Sequence, residues 1–219
     1  MASGVLNLKS QPSGYYDSLR DEMLKYIPTG VKRTLEFGCG TGGFSALLKD
    51  KFSVESWGVE MDSTAASKAA EKLDKVLVSD ALLSLADIPD EYFDCVIFFD
   101  VLEHLADPYS LLTSIKQKMT SQGVVVISIP NIRYYRTFYD LVVHGNWDYK
   151  DHGVLDITHL RFFTKKSICK MFDQIGYEII TLEGMHPTKS RTYKILNAVL
   201  LNMIADVRYK HFAIVARPK

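Results

Sequence analysis

Several marks of specialised protein classes are missing or scarce in this 219-residue chain. Cysteine occurs three times, at Cys39, Cys95 and Cys169, an odd number spread widely and without a Cys-x-x-Cys pair. That pattern argues against a disulfide framework and a thiolate zinc site, and fits a reducing, cytoplasmic setting. The opening stretch MASGVLNLKSQPSG lacks the apolar core of a signal peptide. The most apolar stretch, Ile195 to Ala205, falls short of the ~20 residues a membrane-crossing helix requires. Neither sign of charge predominates, since Lys+Arg and Asp+Glu each number 26; no overall field draws nucleic acid or an acidic membrane. Internal repeats and low-complexity tracts are absent. The 47% apolar content suffices for one well-buried core, so residues 1–219 read as a single domain.

What is present is alternation. From Leu35 to Pro130, apolar runs ending in an acid or glycine (TLEFGCG, WGVEMD, VLVSDA, FDCVIFFD, GVVVISIP) alternate with helical stretches such as STAASKAAEKLD, the pattern of repeated βα units on a parallel sheet. CVIFFD is apolar on both alternating faces, as a strand covered on both sides requires. Asp107-Pro108 caps the helix YSLLTSIKQKM, and Gly176 suits a left-handed end for KKSICKMFDQIG. Two more strands, YEIITLEG and HFAIVARPK, flank the helical stretch KSRTYKILNAVLLNMIAD. Its portion Ile195 to Ala205 is apolar nearly all round, which predicts burial against the body, a second copy of the chain or a membrane surface, the neutral overall charge favouring the first two.

One segment breaks the alternation. Residues 131–163 hold eight aromatics and three of the six histidines. An insertion at a strand's carboxyl end is where an open α/β sheet places a substrate cover.

Four glycines carry Leu35–Phe44 (LEFGCGTGGF) from strand to helix; glycine is needed where φ turns positive or a ligand approaches the backbone. Gly38-x-Gly40-x-x-Gly43 also satisfies the dinucleotide fingerprint, and Glu60 would bind ribose hydroxyls under either reading. A nicotinamide-dependent oxidoreductase or a non-catalytic binding module is therefore an alternative. Glu36, two residues before the first glycine, suits an ammonium- and sulfonium-bearing ligand better than a pyrophosphate. Asp80 ends the third strand, positioned to accept a bond from an adenine amino group.

Taken together, LEFGCGTG, Glu60, Asp80-Ala81 and FFDVLEHL resemble the class I S-adenosylmethionine-dependent methyltransferases, over most of the chain from Tyr15 onward. The resemblance implies a Rossmann-like α/β fold: a seven-stranded, mostly parallel sheet with one antiparallel C-terminal strand, helices on both faces and an inserted lid. It implies S-adenosyl-L-methionine lined by Glu36, Phe37, Gly38, Cys39, Gly40, Gly43 and Phe44, with Glu60 and Met61 at the ribose and adenine, Asp80 and Ala81 at the adenine edge, and Phe99 and Asp100 closing the site. Residues 1–30 resemble the leader helix that closes over the cofactor, with Tyr16 beside it and Arg20 pairing with the methionine carboxylate.

In Asp100-Val101-Leu102-Glu103-His104, relatives carry an Asp/Glu-x-x-Glu-His pattern at the active site. His104 is the candidate base for a hydroxyl acceptor, with Asp100 and His159 beside it; the bland alternative is a capping box from Asp100 to Glu103. No metal is expected on this reading. On a second one, Asp100, Glu103, His104 and His159 resemble the four-ligand magnesium site of some O-methyltransferases of quinone rings and RNA ends, with Asp100 one carbon shorter than the usual glutamate. The stretch from Pro130 to Thr164 resembles bacterial methyltransferases of cell-surface polysaccharide and O-antigen synthesis. That implies a sugar, sugar-nucleotide or glycan acceptor, contacted by Tyr134, Tyr135, Trp147, His152 and Arg161, with Arg133, Arg136 and Arg161 available to phosphates.

Overall fold

The computed structural model describes residues 19–219. Tyr16 and the first part of the expected leader helix lie outside the described residues; Asp21–Tyr26 forms a short 3-10 helix.

Seven strands form one sheet: β1 (Arg33–Phe37), β2 (Glu55–Glu60), β3 (Lys75–Val78), β4 (Phe93–Phe99), β5 (Met119–Pro130), β6 (Tyr177–Pro187) and β7 (Tyr209–Pro218), in the order β3-β2-β1-β4-β5-β7-β6. The helices are α1 (Gly43–Phe52), α2 (Ser63–Ala70), α3 (Pro108–Ser114), α4 (Tyr135–His144), α5 (Lys165–Gln174) and α6 (Arg191–Val199). β7 is antiparallel to both its neighbours, and the other six strands run parallel. This is the sheet the resemblance implies.

Alternation within β4 builds the two layers. Val96 and Phe98 pack with Leu111 and Leu112 of α3 and Ile168, Met171 and Phe172 of α5. Cys95 and Ile97 point the other way, toward Phe44 and Leu48 of α1 and toward Met23 and Tyr26. A strand feeding two cores must be apolar at every position, as CVIFF is.

The punctuation has direct structural causes. The Asp107 side chain accepts from the backbone N–H groups of Tyr109 and Ser110, Thr164 and Ser167 form a capping box at the start of α5, and Gly176 is left-handed at φ +68° after it.

Two expectations need correction. Asp100 and Glu103 make no capping box: Leu102–His104 is a 3-10 turn that starts at Val101 without a side-chain cap. The stretch Ile195 to Ala205 is not buried against the body. α6 ends at Val199, Leu201 and Asn202 turn left-handed, and only Tyr193, Ile204 and Val207 of this region are buried, with Tyr135 and Phe138 of α4 packed on them. The excursion joins two paired strands beyond the sheet edge, so it has no sheet face to cover. Among the described residues no helix is long and apolar enough to cross a membrane.

Candidate active site

The crevice begins at the carboxyl ends of β1, β2 and β4. Gly38 stands at φ +66°, and a Cβ there would meet Val101 Cγ2 at 2.7 Å; only glycine keeps this cradle open. Gly40 is also left-handed, and its N–H donates to Glu60 Oε2 at 2.9 Å. Glu60 Oε1 accepts from the N–H groups of Met61 and Asp62, both at 2.9 Å. The Glu60 carboxylate thus braces two loops and keeps lone pairs for a ribose diol. Met61 is exposed beside it. Asp80 accepts from Leu82 N–H at 2.8 Å, with Ala81 packed against the core below.

Around the loop, packing and binding roles separate. Gly43 opens α1. The Phe37 side chain stacks on Phe98 in one core and Phe44 packs edge-on to Phe99 in the other; the side chains of Phe37 and Phe44 belong to the cores and not to the crevice. Cys39 is buried over Gly58, and burial pushes its thiol upward. Glu36 is buried and accepts from Ser45 Oγ at 2.6 Å. Burial raises its carboxyl to about 7, against the lowering effects of Ser45 and the Arg20 guanidinium. An arriving ammonium would draw it back to the anion. Glycine cradle, ribose-ready Glu60 and cation-ready Glu36 fit S-adenosylmethionine.

Arg20 reaches this crevice with its guanidinium on the Asp100 carboxylate and 3.4 Å from Ser128 Oγ. Asp100 also accepts from Ser128 Oγ at 2.7 Å, and His211 Nε2 lies 3.7 Å away. Asp100 is left-handed at φ +53°, a conformation that costs a non-glycine residue ~1–3 kcal/mol and gathers at functional sites. His211 is held well below the usual histidine range, at about 3, by burial and then by Arg20. Its Nδ1 is buried with no hydrogen-bond partner among the described residues.

At the end of β4, Glu103 is 1% exposed and neither carboxylate oxygen has a partner among the described residues. Burial raises it to about 8. Its backbone carbonyl accepts from Leu160 and Arg161, which ties residues 131–163 over the strand end. His104 Nδ1 lies 3.3 Å from the Thr158 carbonyl and 3.0 Å from Thr158 Oγ1, whose own proton goes to Asp156 Oδ1 at 2.6 Å. A carbonyl can only accept, so Nδ1 carries the hydrogen and Nε2 keeps a lone pair. The same logic fixes His159, whose Nδ1 donates to the Val154 carbonyl at 3.1 Å. Burial lowers both histidines, which favours the neutral rings. Their rings meet edge to face at 4.8 Å, and His159 Nε2 is 4.0 Å from Glu103 Oε1. Glu103, His104 and His159 each offer a ligand atom within 4.8 Å of the others. Asp100 does not join that set, because Arg20 and Ser128 hold it.

The expected acceptor residues divide. Trp147 packs on Phe162, and Phe162 on His159, so an aromatic chain leads from the histidines outward. Arg161 donates to the Ala106 carbonyl. Tyr135 packs instead on Tyr193 of α6, with Tyr134 just before α4 and His152 exposed. Arg133 is paired with Asp206 at 2.8 Å rather than free for a phosphate. The sequence reading missed His211, Ser128, Asp156 and Thr158. The one available signal was the Asp-x-Thr-His spacing of Asp156, Thr158 and His159, which forms a local turn.

Residues 8–182 match the methyltransferase domain family. A ubiquinone biosynthesis O-methyltransferase of Aeromonas salmonicida is 26% identical over 192 residues, 82% of this chain and 78% of that protein. A probable S-adenosylmethionine-dependent methyltransferase of Mycobacterium tuberculosis is 31% identical over 101 residues, 46% of this chain and 36% of that protein, so the match spans little more than a third of that relative's length. In fold, the chain resembles the crystal structure of a SAM dependent methyltransferase from Archaeoglobus fulgidus, with a TM-score of 0.66 and 24% identity, covering 92% of this chain and 93% of that one. With its sheet order, its glycine-lined crevice and four-fifths of its length inside the family match, the chain belongs to the class I S-adenosylmethionine-dependent methyltransferases.

Proposed function

We propose that this protein transfers the methyl group of S-adenosylmethionine to a hydroxyl of a sugar, sugar nucleotide or glycan. The observation that carries this reading is His104 at the carboxyl end of β4, whose Nδ1 is held by Thr158 and whose Nε2 has no hydrogen-bond partner among the described residues. The bound sulfonium supplies a methyl carbon already activated for displacement. The chain's task is then alignment, which can contribute roughly 7–11 kcal/mol. Glu36 and Glu60 hold the two ends of the cofactor, and Asp100 with its Arg20 partner borders the transfer point. As the acceptor oxygen bonds to the methyl carbon and the carbon–sulfur bond breaks, His104 Nε2 takes the hydroxyl proton, worth about 10²–10⁴ in rate. S-adenosylhomocysteine leaves as a neutral thioether.

The sugar assignment rests on the resemblance of Pro130 to Thr164 to polysaccharide-modifying methyltransferases, and on Trp147, exposed at the end of the aromatic chain, as the ring for an apolar sugar face. The three free cysteines fit a cytoplasmic setting. Incubating the protein with S-adenosylmethionine and a panel of sugar nucleotides, and reading the products by mass spectrometry for one added methylene, tests it; no sugar gaining a methyl group would end the assignment.

A second reading is favoured by the unpartnered Glu103 oxygens beside two Nε2 lone pairs. One carboxylate and two imidazoles fit a divalent ion, which would lower the pKa of a quinone-like phenol as acceptor. Glu103, His104 and His159 would hold it. Loss of turnover on EDTA, with a Mg²⁺-dependent rise in Tm that Glu103→Gln abolishes, selects this reading; turnover untouched by EDTA rejects it.

A further inference from the structure

The region from α6 to β7 leaves a face without a partner among the described residues. Ile195, Val199, Leu201 and Met203 are 67%, 71%, 84% and 79% exposed, far beyond what scattered surface residues need. They follow one another along the last turns of α6 and the left-handed turn after it. Leu141, Val142 and Val143 of α4 are exposed as well, and the two helices meet where Tyr135 packs on Tyr193.

Charge identifies the occupant. Although the chain as a whole is neutral, residues 188–210 carry five basic side chains and one acid. Lys189, Arg191, Lys194 and Arg208 are exposed, and the acid, Asp206, is already neutralised by Arg133. Exposed aliphatic residues on a short helix that also exposes lysine and arginine match a bilayer interface, where the apolar side chains enter the acyl boundary and the cations meet anionic headgroups. A second copy of the chain fits poorly: a two-fold contact through this face would set each basic cluster against its own duplicate.

We propose that the α6 segment docks the protein reversibly on an anionic membrane surface, with the end of α4 as a second point of contact. Such docking is independent of which acceptor is methylated, and it would bring the crevice to acceptors carried on lipid.

The test is flotation of the full chain with vesicles of phosphatidylcholine alone and of phosphatidylcholine mixed with phosphatidylglycerol. The protein should float with the mixed vesicles only and be released by high salt. The pair Val199→Asp and Leu201→Asp, and separately the pair Arg191→Glu and Lys194→Glu, should each lower the bound fraction about tenfold or more. Calorimetric titration with S-adenosylhomocysteine, unchanged in all variants, reports that they remain folded. No flotation with mixed vesicles, or equal flotation with both kinds, would overturn the proposal. So would light scattering that finds a dimer which Val199→Asp and Leu201→Asp convert to monomer.

Discussion

His104 and His159, far apart in sequence, meet edge to face with ring centres 4.8 Å apart, each with its Nδ1 hydrogen committed to a backbone carbonyl. One segment supplies both restraints: residues 154–158 provide the carbonyls, and the Glu103 carbonyl ties the same segment down through Leu160 and Arg161. The strand-four motif and the insertion therefore form one unit, and damage to either should be read at the other.

His104→Ala should lower kcat by about 10²–10⁴ while leaving the affinity for S-adenosylhomocysteine nearly unchanged. In the wild type, kcat should fall on acidification below the ordinary histidine range, because burial favours the neutral ring and only the neutral ring accepts a proton. Steady-state kinetics across pH check both. Undiminished turnover in His104→Ala would remove it as base.

Thr158→Val removes the hydroxyl that bridges His104 and Asp156. The Thr158 carbonyl still accepts from Nδ1, so the tautomer is kept while the imidazole is held by one contact instead of two and is less firmly oriented. We expect kcat to drop by roughly tenfold, with unaltered cofactor affinity and a Tm loss no larger than one hydrogen bond, ~1 kcal/mol, explains. A Thr158→Ser variant should recover most of the rate.

Glu36 gives a pH signature. Its carboxyl sits at about 7 in the free protein, and the ligand's ammonium favours the anion, so binding below that pH releases a proton. Affinity for S-adenosylhomocysteine should rise with pH up to about 7 and then level off; in Glu36→Gln the curve should be flat and lower. The same shift acts on folding with the opposite sign. A carboxyl raised above its unfolded value of 4.5 stabilises the free protein below that pH, and this contribution is lost as pH rises through about 7. Titration calorimetry in buffers of different ionisation enthalpy counts the protons directly.

Gly38→Ala places a Cβ 2.7 Å from Val101 Cγ2 at a φ of +66°. The strain should cost about 1–3 kcal/mol of stability, visible as a lower Tm. The Val101 shift should also weaken cofactor binding beyond that stability loss. Gly145→Ala, left-handed but with open space around it, should lower Tm less and leave binding unchanged.

Much of this architecture was legible from residue order. A strand buried on both faces has to be apolar throughout, so β4 announced itself, and the positive φ of Gly38 and Gly40 fits the turn their spacing implied. Asp100, Glu103, His104 and His159 could be grouped through family likeness; the structure brings the last three together and leaves Asp100 with Arg20 and Ser128. Other relations depended on tertiary placement. His211 reaches Asp100 only because β7 runs antiparallel beside β5, pairing His211 with Pro130 at the crevice end. Arg20 meets Asp100 across the four strands that separate them in sequence, a pairing that no periodicity encodes. The apolar run after Ile195 looked like core because composition reports hydrophobicity and not whether a sheet face is available to cover it.

The most direct measurement is calorimetric titration of the protein with S-adenosylhomocysteine and, side by side, with NAD. A crevice built from Gly38, Gly40, Glu36 and Glu60 for a cationic thioether nucleoside predicts saturable binding of S-adenosylhomocysteine, lost in Glu60→Ala, and no heat from NAD. Tight NAD binding with no response to S-adenosylhomocysteine would contradict the assignment.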